Sequence, residues 1–166
     1  DEYHPCQIMS DIFTYMEHRG RIEGKTVAWI GDSNNMCSTW LQAAEIFNFK
    51  VNVSTPPGYD IDPAQIGLAG SQHYEKFANP HEAVAGVDLV TTDVWTSMGF
   101  EAETEQRKSD FAEFCVDAEM LVAAQPFEDR VGDRADASLD DRPVADALRD
   151  ELCDALLDGV GDERLH

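Results

Sequence analysis

Three short stretches combine residue types that could do chemistry: His4-Pro5-Cys6-Gln7, Gly31-Asp32-Ser33-Asn34-Asn35, and the run from Asp93 to Gly99 that reads DVWTSMG. A His and a Gln three residues apart, held by a proline, are either a helix start or two hydrogen-bonding groups aimed at one small ligand. Asparagines at a helix start cap its free N–H groups, or they donate an amide N–H to a carboxylate such as that of an amino acid. Asp93 offers an Asx turn or a carboxylate for an amine. Ser97 and Met98, ahead of Gly99, supply a hydroxyl and backbone groups on a loop that glycine allows to fold close to a ligand. A dinucleotide fingerprint needs three glycines as GxGxxG, and Gly31 alone does not supply it.

These groups need rigid elements behind them. Ile8, Met9, Ile12, Phe13 and Met16 fall on one face of a helix over 7–18, closed by Arg19-Gly20. KTVAWIGD (25–32) reads as a buried strand. Residues 34–47 read as a helix with Met36, Trp40, Ala43, Ala44 and Phe47 inward. KVNVST (50–55) is a second strand, ended by the turn PPGYD. A helix weakened by Gly67 and Gly70 is expected over 61–77, a third strand over 86–95, and one or two helices over 101–124, broken near Cys115. Strands alternating with helices imply βαβ units: an α/β fold whose parallel sheet carries helices on both faces. Such sheets bind ligands beyond the carboxyl ends of their strands, so GDSNN and DVWTSMG are expected on one rim.

Composition narrows the partners. The chain has 166 residues, long enough for one domain with a real core. With 33 Asp and Glu against 12 Lys and Arg, its net charge of −21 repels phosphate backbones, which argues against nucleic acid. No apolar run reaches the roughly 20 residues that cross a bilayer, so no membrane partner is expected. No signal-peptide pattern is present, and the chain does not begin with Met, which fits an origin inside a longer protein. Cys6, Cys37, Cys115 and Cys153 show neither a CxxC pair nor metal-ligand spacing, so free thiols in a reducing cytoplasm are expected.

From residue 127 the composition changes. Residues 127–166 hold 13 acids and 5 arginines. Val144, Leu148, Leu152 and Leu156 recur every four residues there, at the spacing of one amphipathic helix. The boundary therefore falls between 1–126, an α/β domain, and 127–166, a divergent acidic C-terminal tail. The tail is either a true extension or a segment foreign to the domain before it.

HPCQ, GDSNNM and DVWTSMG, in this order and separated by βα units, resemble the carbamoyltransferases, and ornithine carbamoyltransferase most closely. The resemblance covers about residues 1–125, the ornithine-binding domain, and implies a Rossmann-like fold. It implies that His4 polarises the carbonyl oxygen of carbamoyl phosphate and Gln7 holds its amide, with Pro5 and Cys6 completing the corner. Asn35, Asp93, Ser97 and Met98 would orient L-ornithine, whose δ-amine attacks the carbonyl carbon to give citrulline and phosphate. ERLH (163–166) is similar to a late family segment, which would make Arg164 a carbamoyl phosphate ligand. The resemblance implies no cofactor, no metal, and a homotrimer for the whole enzyme.

Two family features have no counterpart in this sequence: the Ser-x-Arg-Thr-Arg phosphate loop of the first domain, and a His-Cys-Leu-Pro loop soon after Gln125-Pro126. The chain alone is therefore expected to be inactive, because charge-assisted contacts to phosphate are the strong ones. Two other functions compete: a carbamoyltransferase for a related amine, such as putrescine or an acylated ornithine, and a non-catalytic α/β binding domain.

Overall fold

The computed structural model describes residues 3–63, 66, 72–95 and 104–124. Four strands form one sheet: β1 (Thr26–Ile30), β2 (Lys50–Ser54), β3 (Tyr74–Lys76) and β4 (Leu89–Thr91). Their order is β3-β2-β1-β4, and every pairing is parallel. β1 is an inner strand, paired on both edges, and TVAWI carries no charge and can be covered on both faces. Its residues alternate between two cores. Val27 and Trp29 join the core under α1 (Pro5–Arg19) and α2 (Asn35–Phe47). Ala28 and Ile30 join the opposite core, with Ala83 and Val84 of α3 (Pro80–Val84) and Met120 of α5 (Ala118–Ala123). Between α3 and α5 come α4 (Thr104–Asp110) and a 3-10 turn at Ala112–Phe114; Phe111 just before the turn and Phe114 within it also enter the second core. Helices therefore cover both faces, as the alternation of elements predicts. Each large apolar side chain buried here contributes about 1.5–3 kcal/mol against its exposed state.

Four local expectations are corrected. α1 buries Ile8, Ile12 and Tyr15, whereas Met9, Phe13 and Met16 are exposed. Residues 8, 12, 15 and 9, 13, 16 form adjacent stripes about 100° apart, and α1 turns only the first toward the sheet. The expected helix over 61–77 does not reach its predicted end. Ile66 donates its backbone N–H to the Asp62 carbonyl at 3.3 Å, a helical contact, but Tyr74–Lys76 pair with β2 as an edge strand. Three residues with polar side chains are too few to show alternation. The third strand is shorter than 86–95: Gly86 turns the chain at φ +69, and the ladder stops at Thr91. α3 was not expected, although Asn79 as its N-cap and Pro80 in its first turn are standard start signals.

Among the thiols, Cys6 and Cys37 are free, but Cys115 is disulfide-bonded, contrary to expectation. Spacing in sequence says nothing of which sulfurs the fold brings within bonding distance. The expected break near Cys115 is present, between the 3-10 turn and α5. Residues 127–166 and the expectations placed on them lie outside the described residues.

Candidate functional site

The connections after β1 and β4 leave adjacent strands. β1 runs through α2 to β2 on one side, while β4 lies on the other side of β1. The strand order thus reverses at β1/β4, and the crevice beyond their carboxyl ends is where open α/β sheets hold ligands. A cleft of about 1160 Å³ opens there and runs on along the whole of α1, from His4 to Arg19, between it, the start of α2 and β4 from Leu89 to Asp93.

The turn out of β1 starts at Gly31, whose φ of +133 disfavours any side chain, and whose Cβ would stand 3.4 Å from Thr92 Oγ1. Asn34 then caps α2. Its Oδ1 accepts from the backbone N–H groups of Met36 (3.0 Å) and Cys37 (3.2 Å). Its Nδ2 donates to Asp93 Oδ2 at 2.8 Å. One side chain thus satisfies the helix end and ties it to the residue beyond β4. Asp93 uses its second oxygen, Oδ1, to accept from the Val94 N–H at 2.8 Å. Half-buried and flanked by neutral donors, this carboxylate brings negative charge to the cleft.

His4 is the N-cap of α1, yet its side chain makes no capping bond. Its backbone N–H donates to Thr39 Oγ1 at 3.0 Å, and that hydroxyl donates to the Asn35 carbonyl at 2.6 Å. Thr39 therefore fixes the start of α1 against the start of α2, and the imidazole is left at the cleft. Gln7 lines the same cleft one turn on, where its Nε2 donates to Asp11 Oδ1 at 3.0 Å.

Of the residues singled out from sequence, His4, Gln7, Asn35 and Asp93 share this cleft. Pro5 and Cys6 do not line it: Pro5 begins α1, and Cys6 is exposed. Ser97, Met98 and Arg164 lie outside the described residues. Sequence reasoning passed over Thr39, a helix residue with nothing to mark it. It left both asparagines open as caps or amide donors and carried only Asn35 forward to the ligand, since a doublet of asparagines does not reveal which amide turns toward the neighbouring strand. Two wall atoms, Trp40 Nε1 and Thr92 Oγ1, are buried with no hydrogen-bond partner among the described residues.

Electrostatics around the cleft follow from burial. Tyr15, in its wall, has a phenol pushed above its ordinary value, first by burial and then by Asp88, with Lys25 and Arg19 opposing. Cys37, in the first turn of α2, is raised well above an ordinary thiol by complete burial and by Asp32, which leaves it protonated and inert. Among the described residues no group of His, Cys, Asp and Glu could hold a metal ion, and no helix is long and apolar enough to cross a membrane.

The chain is an open parallel α/β domain whose switch-point cleft is walled by a carboxylate, amides and an imidazole. The family model for the aspartate/ornithine carbamoyltransferase Asp/Orn binding domain matches residues 23–129. This chain belongs to the aspartate/ornithine carbamoyltransferase family. It is 70% identical over 125 residues to an ornithine carbamoyltransferase of Nitrosomonas europaea, covering 75% of this chain and 41% of that protein. A solved ornithine carbamoyltransferase of Burkholderia thailandensis aligns at 52% identity and TM-score 0.66, covering 75% of this chain and 39% of the other. That of Pyrococcus furiosus aligns at 30% identity and TM-score 0.68, over 93% of this chain and 54% of its own. The chain thus spans about two fifths of the length of the curated relatives it matches.

Proposed function

We propose that this cleft binds L-ornithine and serves the transfer of a carbamoyl group from carbamoyl phosphate to its δ-amine, giving L-citrulline and phosphate. The observation that carries this reading is the Asn34–Asp93 pair: a carboxylate is held at the cleft by an amide, ready to take a cationic amine. The strongly acidic chain also draws in a ligand with net positive charge. In this reading Asp93, Asn35, Ser97 and Met98 orient ornithine. His4 and Gln7 meet the carbonyl oxygen and amide of carbamoyl phosphate at the HPCQ corner, and Arg164 reaches its phosphate. A donor aimed at the developing oxyanion contributes about 3 kcal/mol.

Residues 1–126 act here as the ornithine-binding domain of a cytoplasmic homotrimeric enzyme of arginine biosynthesis. The names of relatives at 66–70% identity support the choice of ornithine. Isothermal titration of the chain with L-ornithine, putrescine and N-acetylornithine tests it. L-Ornithine is expected to bind, and Asp93→Asn to weaken it about tenfold or more, since a hydrogen bond to a charged group contributes roughly 1.5–3 kcal/mol. Equal affinity for putrescine, or no ornithine binding at all, overturns the assignment.

A further inference from the structure

Behind the cleft, a second link joins the same two connections. Asp32 lies two residues before Asn34, and Trp95 two residues after Asp93. A single guanidinium nitrogen, Nη1 of Arg107 in α4, donates to Asp32 Oδ2 at 2.6 Å and to the Trp95 carbonyl at 2.8 Å. The Arg107 side chain is only 10% exposed and that of Asp32 20%. The guanidinium carbon lies 5.1 Å from the centre of the Tyr59 ring and 5.9 Å from that of Phe111. The Asp32 backbone is held in turn, because Trp29 Nε1 donates to its carbonyl at 2.9 Å.

We propose that Arg107 is a positioning residue, which sets the distance between Asn34 and Asp93 by clamping Asp32 to Trp95. The chemistry calls for arginine. A planar cation that stays charged can stack on two rings while bonding a carboxylate and a carbonyl, which a lysine ammonium cannot match. Without the clamp, the Asp32 carboxylate and the Trp95 carbonyl lose this donor in a half-buried place, and both connections relax. A relative shift of about 1 Å takes a hydrogen bond of this length beyond its useful range. Arg107 thereby acts on ligand binding without touching the ligand. That last consequence rests on the ornithine reading above, whereas the clamp itself does not.

The test uses the whole 166-residue chain. The Asn34 side-chain amide is followed by ¹H–¹⁵N NMR, assigned by its loss in Asn34→Ser, which keeps a capping oxygen. Asp32→Asn preserves shape and removes the charge. Arg107→Met removes the clamp, and Arg107→Lys returns a cation beside Asp32. Val84→Ala, buried in the second core and not among the residues that line the cleft, serves as a control for lowered stability alone. Exchange of the Asn34 amide protons is expected to accelerate about tenfold in Asp32→Asn and Arg107→Met, with partial recovery in Arg107→Lys and none of this in Val84→Ala. Unchanged exchange in Asp32→Asn, or an equal change in Val84→Ala, overturns the proposal. If Arg107→Met does not fold, Asp32→Asn decides alone. L-Ornithine affinity, measured in parallel, is expected to fall by about the same factor. Wild-type protein that binds no ornithine defeats the functional reading, and amide exchange still decides the clamp.

Discussion

The side chain of Asn34 holds a helix end and a carboxylate at once: Oδ1 accepts from the first turn of α2, and Nδ2 donates to Asp93 Oδ2 at 2.8 Å. The two roles can be separated. Asn34→Ser retains a cap and loses the link, whereas Asn34→Ala loses both. The alanine variant is expected to be less stable than the serine variant by about 1 kcal/mol in urea unfolding, the usual worth of a cap. Both variants should weaken ornithine binding alike. Equal stability of the two would mean that the cap contributes nothing.

His4 is tied by its backbone to Thr39 while its imidazole stays out of the cap. With residues 1–126 grafted into the corresponding part of the Nitrosomonas europaea relative, His4→Ala is expected to lower kcat about a hundredfold, as loss of an oxyanion donor does. A steady-state citrulline assay reads this. An unchanged kcat would reduce HPCQ to a helix start.

The two free thiols among the described residues should behave oppositely. Cys6 is exposed, and Cys37 is fully buried with its ionisation pushed well upward by burial and by Asp32. Brief treatment of native protein with iodoacetamide, followed by peptide mass mapping, is expected to label Cys6 and spare Cys37. Urea should open Cys37 to the reagent. Rapid labelling of Cys37 in the native state would contradict the packing under α2.

Stability should decline on the alkaline side. Burial is the leading cause that raises the phenols of Tyr15, Tyr59 and Tyr74, with Asp110 adding to it at Tyr59. A group that holds its proton more tightly when folded contributes stability that is complete below the unfolded value of about 10 and is lost as pH rises through the folded one. Urea midpoints are therefore expected to hold level up to about pH 9.5 as far as these groups are concerned, then to fall, and less steeply in Tyr59→Phe. A midpoint indifferent to pH between 10 and 11.5 would refute this.

Periodicity and strand composition were enough to place β1, β2, α1 and α2, because each buries its own residues and so writes its period into the sequence. They were enough, too, to put GDSNN and Asp93 on one rim, since a parallel sheet leaves its ligand groups at the carboxyl ends of its strands. The edge strand β3 was hidden. It pairs through its backbone, and Tyr74-Glu75-Lys76 carry no pattern of burial. The choice between the two stripes of α1 was hidden for a related reason: Ile8 and Met9 are equally apolar, and only docking on the sheet decides which one is covered.

The cleft divides along the same line. Residue types and spacing made candidates of His4, Gln7, both asparagines and Asp93, because imidazole, amide and carboxylate groups beside strand ends and helix starts are the stock of ligand recognition. The family resemblance picked Asn35 from the doublet. Tertiary structure alone decided that Asn34 is the amide bonded to Asp93, that Thr39 secures His4, and that Arg107 lies buried between Asp32 and Trp95. These pairings join residues 12 to 75 positions apart. A short polar hydrogen bond depends on the direction of two side chains, and direction is set only when separate helices and strands have packed. In EQRKSD, Arg107 looks like any solvated charge; of the two rings beside it, Phe111 is one turn on and Tyr59 arrives from elsewhere in the chain.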